Sequence, residues 1–204
     1  MPSSTKRVFY ADHVFHVDEN VYEPAEDSFF FAENLSIKSD DVVLDMGTGC
    51  GILGILAAAR ASCVVAGDIN PFAVRCAKEN AALNHVVEKC SVVQGDLFAP
   101  VSPVGQFDAV LFNAPYLPTE GSEGDSWVEQ AWIGGVSGRN VIDRFIVEVP
   151  RYLKAGGQAF LLQSTLSGVE ETLQRFRASG LNANVAAQRD LPFFESLVLV
   201  VAER

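Results

Sequence analysis

The sequence predicts an α/β protein of Rossmann-like, doubly wound type. Its sheet should have seven strands, mostly parallel, with an antiparallel hairpin at the C-terminal end. Three observations predict this. Short apolar, β-branched runs alternate with helical patterns from about residue 41 onward, and that alternation builds a parallel sheet covered by helices. A glycine-rich segment separates the first run from the helix after it. Two strand-like runs then close the chain with no helix between them.

The elements follow in order. Residues 1–20 read as an N-terminal extension forming a hairpin, and 21–204 as a single domain. Residues 24–35 are a helix. Strands are expected at 41–46 (DVVLDM), 63–68 (CVVAGD), 91–96 (SVVQGD), 107–112 (FDAVLF) and 158–163 (QAFLLQ). Each is short and apolar, as a strand buried on both faces should be. The helix at 71–83 follows Asn70, a good N-cap, with Pro71 at its first position. The helix at 139–153 should be shortened or kinked by Pro150. Ser167 with Glu170 has capping-box spacing and opens a helix to Ala178, stopped by Gly180. Residues 181–189 and 196–202, joined by LPFF, make the closing hairpin. One long loop remains, 118–140, containing EGSEGDS and GGVSGRN. A loop of that length in a compact domain is usually functional or disordered.

Composition narrows the function. The chain has 204 residues, 49% hydrophobic and 20% charged, with net charge −11, which excludes a disordered, collagenous or coiled-coil protein. No basic stripe exists to neutralise phosphates, which argues against a nucleic-acid partner. Cys50, Cys63, Cys76 and Cys90 form no CxxC pair, and only His13, His16 and His85 accompany them. That is no zinc template, so no metal site is expected. The N-terminus MPSSTKRVFYADH is mixed and polar, and no apolar stretch approaches the ~18 residues of a membrane span. A cytoplasmic protein is expected.

The glycine loop at 45–54 reads DMGTGCGILG and admits two registers. Gly49-x-Gly51-x-x-Gly54 matches the dinucleotide fingerprint, with Asp68 19 residues after Gly49 as the ribose acid. Asp45-x-Gly47-x-Gly49-x-Gly51 matches the loop of S-adenosylmethionine-dependent methyltransferases. Asp45 tilts the choice, because a carboxylate repels a pyrophosphate but suits a cationic methionine moiety. Asp68, followed by Ile69, can accept both ribose hydroxyls. Asp96 can accept from an exocyclic adenine amine beside the Leu97 backbone. Three acids at consecutive strand ends are what a nucleoside crevice predicts.

The fourth strand delivers Asn113-Ala114-Pro115-Tyr116 into the same expected crevice. An amide or aromatic amine has a delocalised lone pair and must be oriented to be methylated. The Asn113 oxygen and the Ala114 carbonyl can each accept one substrate N–H. Pro115 stiffens the turn, and Tyr116 can stack on the planar group. This is catalysis by orientation and electrostatics.

Asn-x-Pro-Tyr after such a glycine loop resembles the amino-methyltransferases with an Asn-Pro-Pro-Tyr signature, Ala114 standing where that family usually has Pro. Residues 21–28 (VYEPAEDS), 68–71 (DINP) and 131–145 (AWIGGVSGRNVIDRF) extend the resemblance to the short archaeal and eukaryotic branch of HemK-related protein methyltransferases. It covers nearly residues 20–200. The resemblance implies a class I methyltransferase domain over 21–204, using S-adenosylmethionine and releasing S-adenosylhomocysteine. It places Glu26 and Asp27 in a segment covering the cofactor, with Asn113 also near it. The implied substrate is the glutamine amide of Gly-Gly-Gln in a class-1 translation release factor, with lysine as a further acceptor. It also implies a small zinc-binding activator adding a strand to the sheet. The third strand, around 89–94, is the edge such a partner would use.

Trp127 and Trp132 are either packing or substrate contacts. Arg139 and Arg144 either bind backbone carbonyls or pair with acids such as Asp143. Three rival readings stand beside the main one. They are an adenine or guanine amino-methyltransferase on RNA or DNA, an NAD-dependent oxidoreductase using the other glycine register, and a catalytically silent binding module.

Overall fold

The computed structural model describes residues 5–119, 126–192 and 195–204. Most of the EGSEGDS stretch, both phenylalanines of LPFF and the first four residues of the N-terminal extension lie outside the described residues. The chain divides into two compact units, Met1–Val101 and Ser102–Arg204. Together they carry a two-stranded sheet and a seven-stranded, mostly parallel one.

The first unit begins with the expected hairpin, β1 (Lys6–Tyr10) and β2 (His13–Val17), paired antiparallel. Helix α1 (Glu26–Glu33) follows, with two acids in its first turn, where they favour the positive end of the helix dipole. Then come β3 (Val42–Met46), α2 (Ile52–Ala58), β4 (Cys63–Asp68), α3 (Pro71–Leu83) and β5 (Cys90–Gln94). The three strands are parallel in the order β5-β4-β3, with Asp45 level with Ala66 and Ala66 level with Val92. β5 is thus an outer strand, as expected, although it ends at Gln94 and leaves Asp96 in the turn beyond.

Helix α3 has the bounds its sequence predicts, because its signals are local: the Asn70 side chain accepts from Phe72 N, with Pro71 next to it. Asn80 of α3 and Asn84, its C-cap one turn later, hold the hairpin. Asn80, fully buried, accepts from His16 N at 2.8 Å and donates to His16 O and Cys50 O. Asn84 accepts from Val14 N and donates to Val14 O. Positions four apart share a helix face, so α3 offers β2 alternating partners as a neighbouring strand would.

The second unit holds β6 (Phe107–Asn113), α4 (Trp127–Gln130), α5 (Asn140–Glu148), β7 (Leu153–Ser164), α6 (Val169–Ala178), β8 (Asn182–Asp190) and β9 (Ser196–Glu203). Its strands run in the order β6-β7-β9-β8, with β6 and β7 parallel and the last two pairings antiparallel. Pro150 ends α5 as expected, within a 3-10 turn at Val149–Arg151. β7 starts five residues earlier than its apolar run. Leu153 pairs with Phe107 through a bulge, and Gly156 and Gly157 exchange backbone bonds with Arg204. The core is aromatic: the Phe112 and Phe145 rings lie 4.8 Å apart, and Phe176 meets Phe145 edge-on.

One capping expectation fails and an unexpected one holds. Ser167 does not cap α6. Its hydroxyl donates to Ser164 O and accepts from the buried Gln163 amide, inside a 3-10 turn, while Gly168 at φ 73° takes the N-cap place. A buried amide outcompetes the helix end for that hydroxyl. Ser126 and Glu129 form a complete capping box instead, opening the short α4.

Candidate functional site

The glycine loop leaves β3 through three left-handed glycines, with φ of 64° at Gly47, 58° at Gly49 and 91° at Gly51. Gly51 is the N-cap of α2. Asp45 lies beneath this turn, 1% exposed. Its Oδ2 accepts from Thr48 Oγ1 at 2.5 Å and from Gly54 N at 2.8 Å. A side chain at residue 54 would come within 2.9 Å of that oxygen. The third glycine of the dinucleotide register is therefore required by a carboxylate already present. Burial raises the Asp45 pKa, its two hydrogen bonds oppose the rise, and the nearby Asp68 charge adds to it, giving about 7. Asp45 holds the loop's shape from within.

Asp68, at the end of β4, binds the loop from the other side. Oδ2 accepts from Gly49 N and Oδ1 from Asn70 N, both at 2.9 Å. The Ile69 N–H is a third backbone donor to this carboxylate, which leaves acceptor capacity for a further donor. Burial raises the pKa of this acid despite the backbone N–H groups that stabilise its charge. Above Gly49 the space is open, with no atom within 4 Å of where a Cβ would stand. An open left-handed glycine beside a carboxylate with spare acceptors fits a ribose-bearing ligand brought close to the backbone.

Neighbouring segments join this point. Gly95 N donates to Asp68 O at 2.9 Å, bringing in the turn that holds exposed Asp96 and buried Leu97, the latter at φ 45°. Asn70 Nδ2 donates to Asn20 O, and Ile69 stands half exposed between Asp68 and the α3 cap. Asn20 and Asn70 had no sequence signal as site residues beyond the N-cap itself. Glu26 is exposed in the first turn of α1. Asp27 is buried within its own segment, accepting from Ser28 N at 2.6 Å and Tyr22 Oη at 3.1 Å. Burial and then the Asp27 charge raise the Tyr22 phenol, keeping it a donor.

In the second unit, Asn113 ends β6 level with Leu162 of β7. Ala114 is 2% exposed, while Pro115 and Tyr116 are half buried. The chain beyond does not wander as an open loop. Leu117 N donates to Trp132 O, Gly134 N to Leu117 O and Thr119 N to Gly135 O, at 2.9 to 3.1 Å. Trp127 opens α4, and Trp132 is 36% exposed. Arg139 holds the protein's own backbone as well as an acid. It is 5% exposed, binds the carbonyls of Ser167 and Gly168 and pairs with Asp143. Arg144 is exposed.

A glycine loop after the first parallel strand, tied to an acid at the end of the second, defines a Rossmann-like α/β protein with a nucleoside-type site. Within that class, the chain belongs to the methyltransferase small domain family, whose model matches residues 18–187. A relative from Methanocaldococcus jannaschii, provisionally named a protein N5-glutamine methyltransferase, is 45% identical over 88% of this chain and 90% of its own. Methyltransferase HEMK2 of Homo sapiens is 33% identical over 83% of this chain and 84% of its own. Among solved structures, the E. cuniculi Mtq2-Trm112 complex, responsible for methylation of the eRF1 translation termination factor, superposes with a TM-score of 0.71. It is 26% identical, covering 91% of this chain and 99% of that one. No helix among the described residues is long and apolar enough to cross a membrane.

Proposed function

We propose that this methyltransferase transfers a methyl group from S-adenosylmethionine to the side-chain amide nitrogen of a protein glutamine. The substrate is the Gly-Gly-Gln segment of a class-1 translation release factor in the cytoplasm, with lysine as a secondary acceptor. The observation that carries this reading is the identity of 45% to a relative named for N5-glutamine methylation, over nearly the whole chain. The E. cuniculi complex, responsible for the methylation of a termination factor, agrees with it.

Residues 21–204 act as one catalytic domain and 1–20 as its extension. Gly47, Gly49 and Gly51 let the loop backbone approach the cofactor, and Asp45 fixes the loop. Asp68 accepts the ribose hydroxyls through its free lone pairs, with Ile69 against the nucleoside. Asp96 and the Leu97 backbone read the adenine amine, and Glu26 and Asp27 cover the cofactor. The bound cofactor supplies an electrophilic methyl group and leaves as S-adenosylhomocysteine. Asn113, which also borders the cofactor, accepts one amide N–H through its side-chain oxygen, and the Ala114 carbonyl accepts the other. Pro115 limits the turn's freedom, and Tyr116 stacks on the planar amide. The chain's task is to orient a weak nucleophile.

A small zinc-binding partner adds a strand along residues 89–94. β5 is an outer strand with Val92 and Val93 half buried, and Leu83 and Val87 exposed in the segment leading to it. The unpaired edge supplies backbone hydrogen bonds for such an addition.

The test is transfer from labelled S-adenosylmethionine, with and without the partner. The acceptors are an intact release factor, the same factor with its Gly-Gly-Gln glutamine replaced, and structured RNA and DNA. Label confined to the intact factor is expected. Label on nucleic acid, or equal label on the replaced factor, overturns the substrate. Asn113→Ala is expected to lower kcat by about 10²-fold or more while S-adenosylmethionine affinity stays within about twofold. Unchanged turnover in that variant rules out the proposed orienting role.

A further inference from the structure

We propose that Gly138 and Arg139 are positioning residues: they clamp the segment after Tyr116 and so hold Asn113–Tyr116 in the geometry that methyl transfer needs. This deepens the functional reading above and rests on it. The argument begins with contact. A side chain at residue 138 would run into the Tyr116 carbonyl oxygen and crowd Pro118, and the φ there is 72°. A side chain at residue 134 would meet the Gly138 carbonyl at 2.5 Å, and one at 135 would strike Asn140. At 134 and 138 backbone packs directly on backbone, and at 135 on the Asn140 side chain, so none of the three has room for a side chain. Through that fit, residues 132–135 exchange hydrogen bonds with Leu117 and Thr119.

Arg139 fastens the base of this loop to rigid elements. Nη1 donates to Ser167 O at 2.5 Å, Gly168 O at 3.0 Å and Thr172 Oγ1 at 2.9 Å, and Nη2 donates to Asp143 Oδ1 at 2.7 Å. Thr172 in turn donates to Gln163 Oε1 at 2.6 Å. Gln163 follows Leu162, the residue level with Asn113 across β6 and β7. The connections therefore close on themselves, from Asn113 along 117–119 to the glycine loop, through Arg139 to the end of β7, and back to Asn113. An arginine fork is suited to this task because its donors are fixed in one plane. A displacement near 1 Å at a reacting group can cost about 10²-fold in rate.

The test uses the full chain and four variants: Gly138→Ala, Arg139→Gln, Arg139→Lys and Gly180→Ala. Gly180 is the control, with φ 88° and open space around its Cβ position, so alanine there brings backbone strain without the clash. Amide exchange at Leu117 and Thr119 reads the clamp, and steady-state kinetics read its consequence. Faster exchange at both amides is expected for Gly138→Ala and Arg139→Gln. Their kcat is expected to fall tenfold to a hundredfold, roughly the scale of misplacement, with S-adenosylmethionine affinity within about twofold. Arg139→Lys should recover part of the loss, and Gly180→Ala should match wild type in both readouts. Wild-type exchange in Gly138→Ala overturns the clamp, and so does a kcat loss no larger than that of Gly180→Ala. If Arg139→Gln does not bind cofactor, Gly138→Ala decides alone. A wild-type chain that methylates no protein refutes the functional reading, and the exchange data still decide the clamp.

Discussion

Asp45 is a carboxylate enclosed by its own loop, and its protonation is linked to folding. In the unfolded chain it ionises near 3.8, and in the folded chain near 7. Between those values the folded state keeps a proton that the unfolded state has released. Stability contributed by this group is therefore full below pH ~4 and lost as pH rises through 7. Asp45→Asn removes that slope. Relative to the variant, the wild type should lose at most about 4 kcal/mol between pH 4 and pH 8, read by urea unfolding across that range. Parallel curves for the two proteins would mean that Asp45 ionises well below neutrality when folded. The sequence placed this acid against a cationic ligand, because residue type and position say nothing about which way a carboxylate turns. Its bonds to Thr48 and Gly54 depend on the turn's three-dimensional path. The Asp143 partner of Arg139 was legible at i+4 spacing, but its carbonyl partners were not, because they lie 28 and 29 residues away.

Elements whose signals are local were read closely from the sequence. β4 and α3 have the predicted bounds, since an apolar run, an N-cap and a proline define them. Elements fixed by pairing were not. β7 starts at Leu153 because it meets Phe107, a partner 46 residues earlier. Ser-x-x-Glu occurs at both 126–129 and 167–170, and only the first makes a capping box; the buried Gln163 amide, out of sight in a linear pattern, decides the difference. At this scale the Asn80 and Asn84 pair carries a prediction. Asn80→Ala leaves His16 N, His16 O and Cys50 O without their asparagine partner. A loss of about 2–3 kcal/mol in unfolding free energy is expected, with faster amide exchange in β2. Asn84→Ala, at a part-buried site, should cost less. Equal, small losses from both would show that the hairpin is held by packing alone.

Over the whole chain, the parallel sheet and the methyltransferase class were legible because strand–helix alternation and the two signature segments survive in one dimension. The chemistry of the ligand can be checked without any acceptor. S-adenosylmethionine at about 100 times its Kd should add about 2.7 kcal/mol to stability, seen as a raised Tm, and NAD should add nothing. Protection by NAD would revive the other glycine register. The partner proposed above should leave a separate trace. Amides of residues 89–94 should slow their exchange when the zinc-binding protein is added, whereas β8, at the outer end of the second unit's strands, should not change. Protection at β8 instead would move the interface.

The glycine loop at 134–138 also bears on how this protein can drift over generations. Val136 is 79% exposed and lies inside a segment that hydropathy would rank as variable surface. Its neighbours Gly134 and Gly138 have no room for even a methyl group, and Arg139 is buried although it carries a charge. In a saturation library selected for function, positions 134, 138 and 139 should be purged as severely as Phe145, while 136 and 137 accept nearly every residue. Tolerance would then alternate within six consecutive positions, a pattern set by backbone contact and invisible to any scale of residue hydrophobicity.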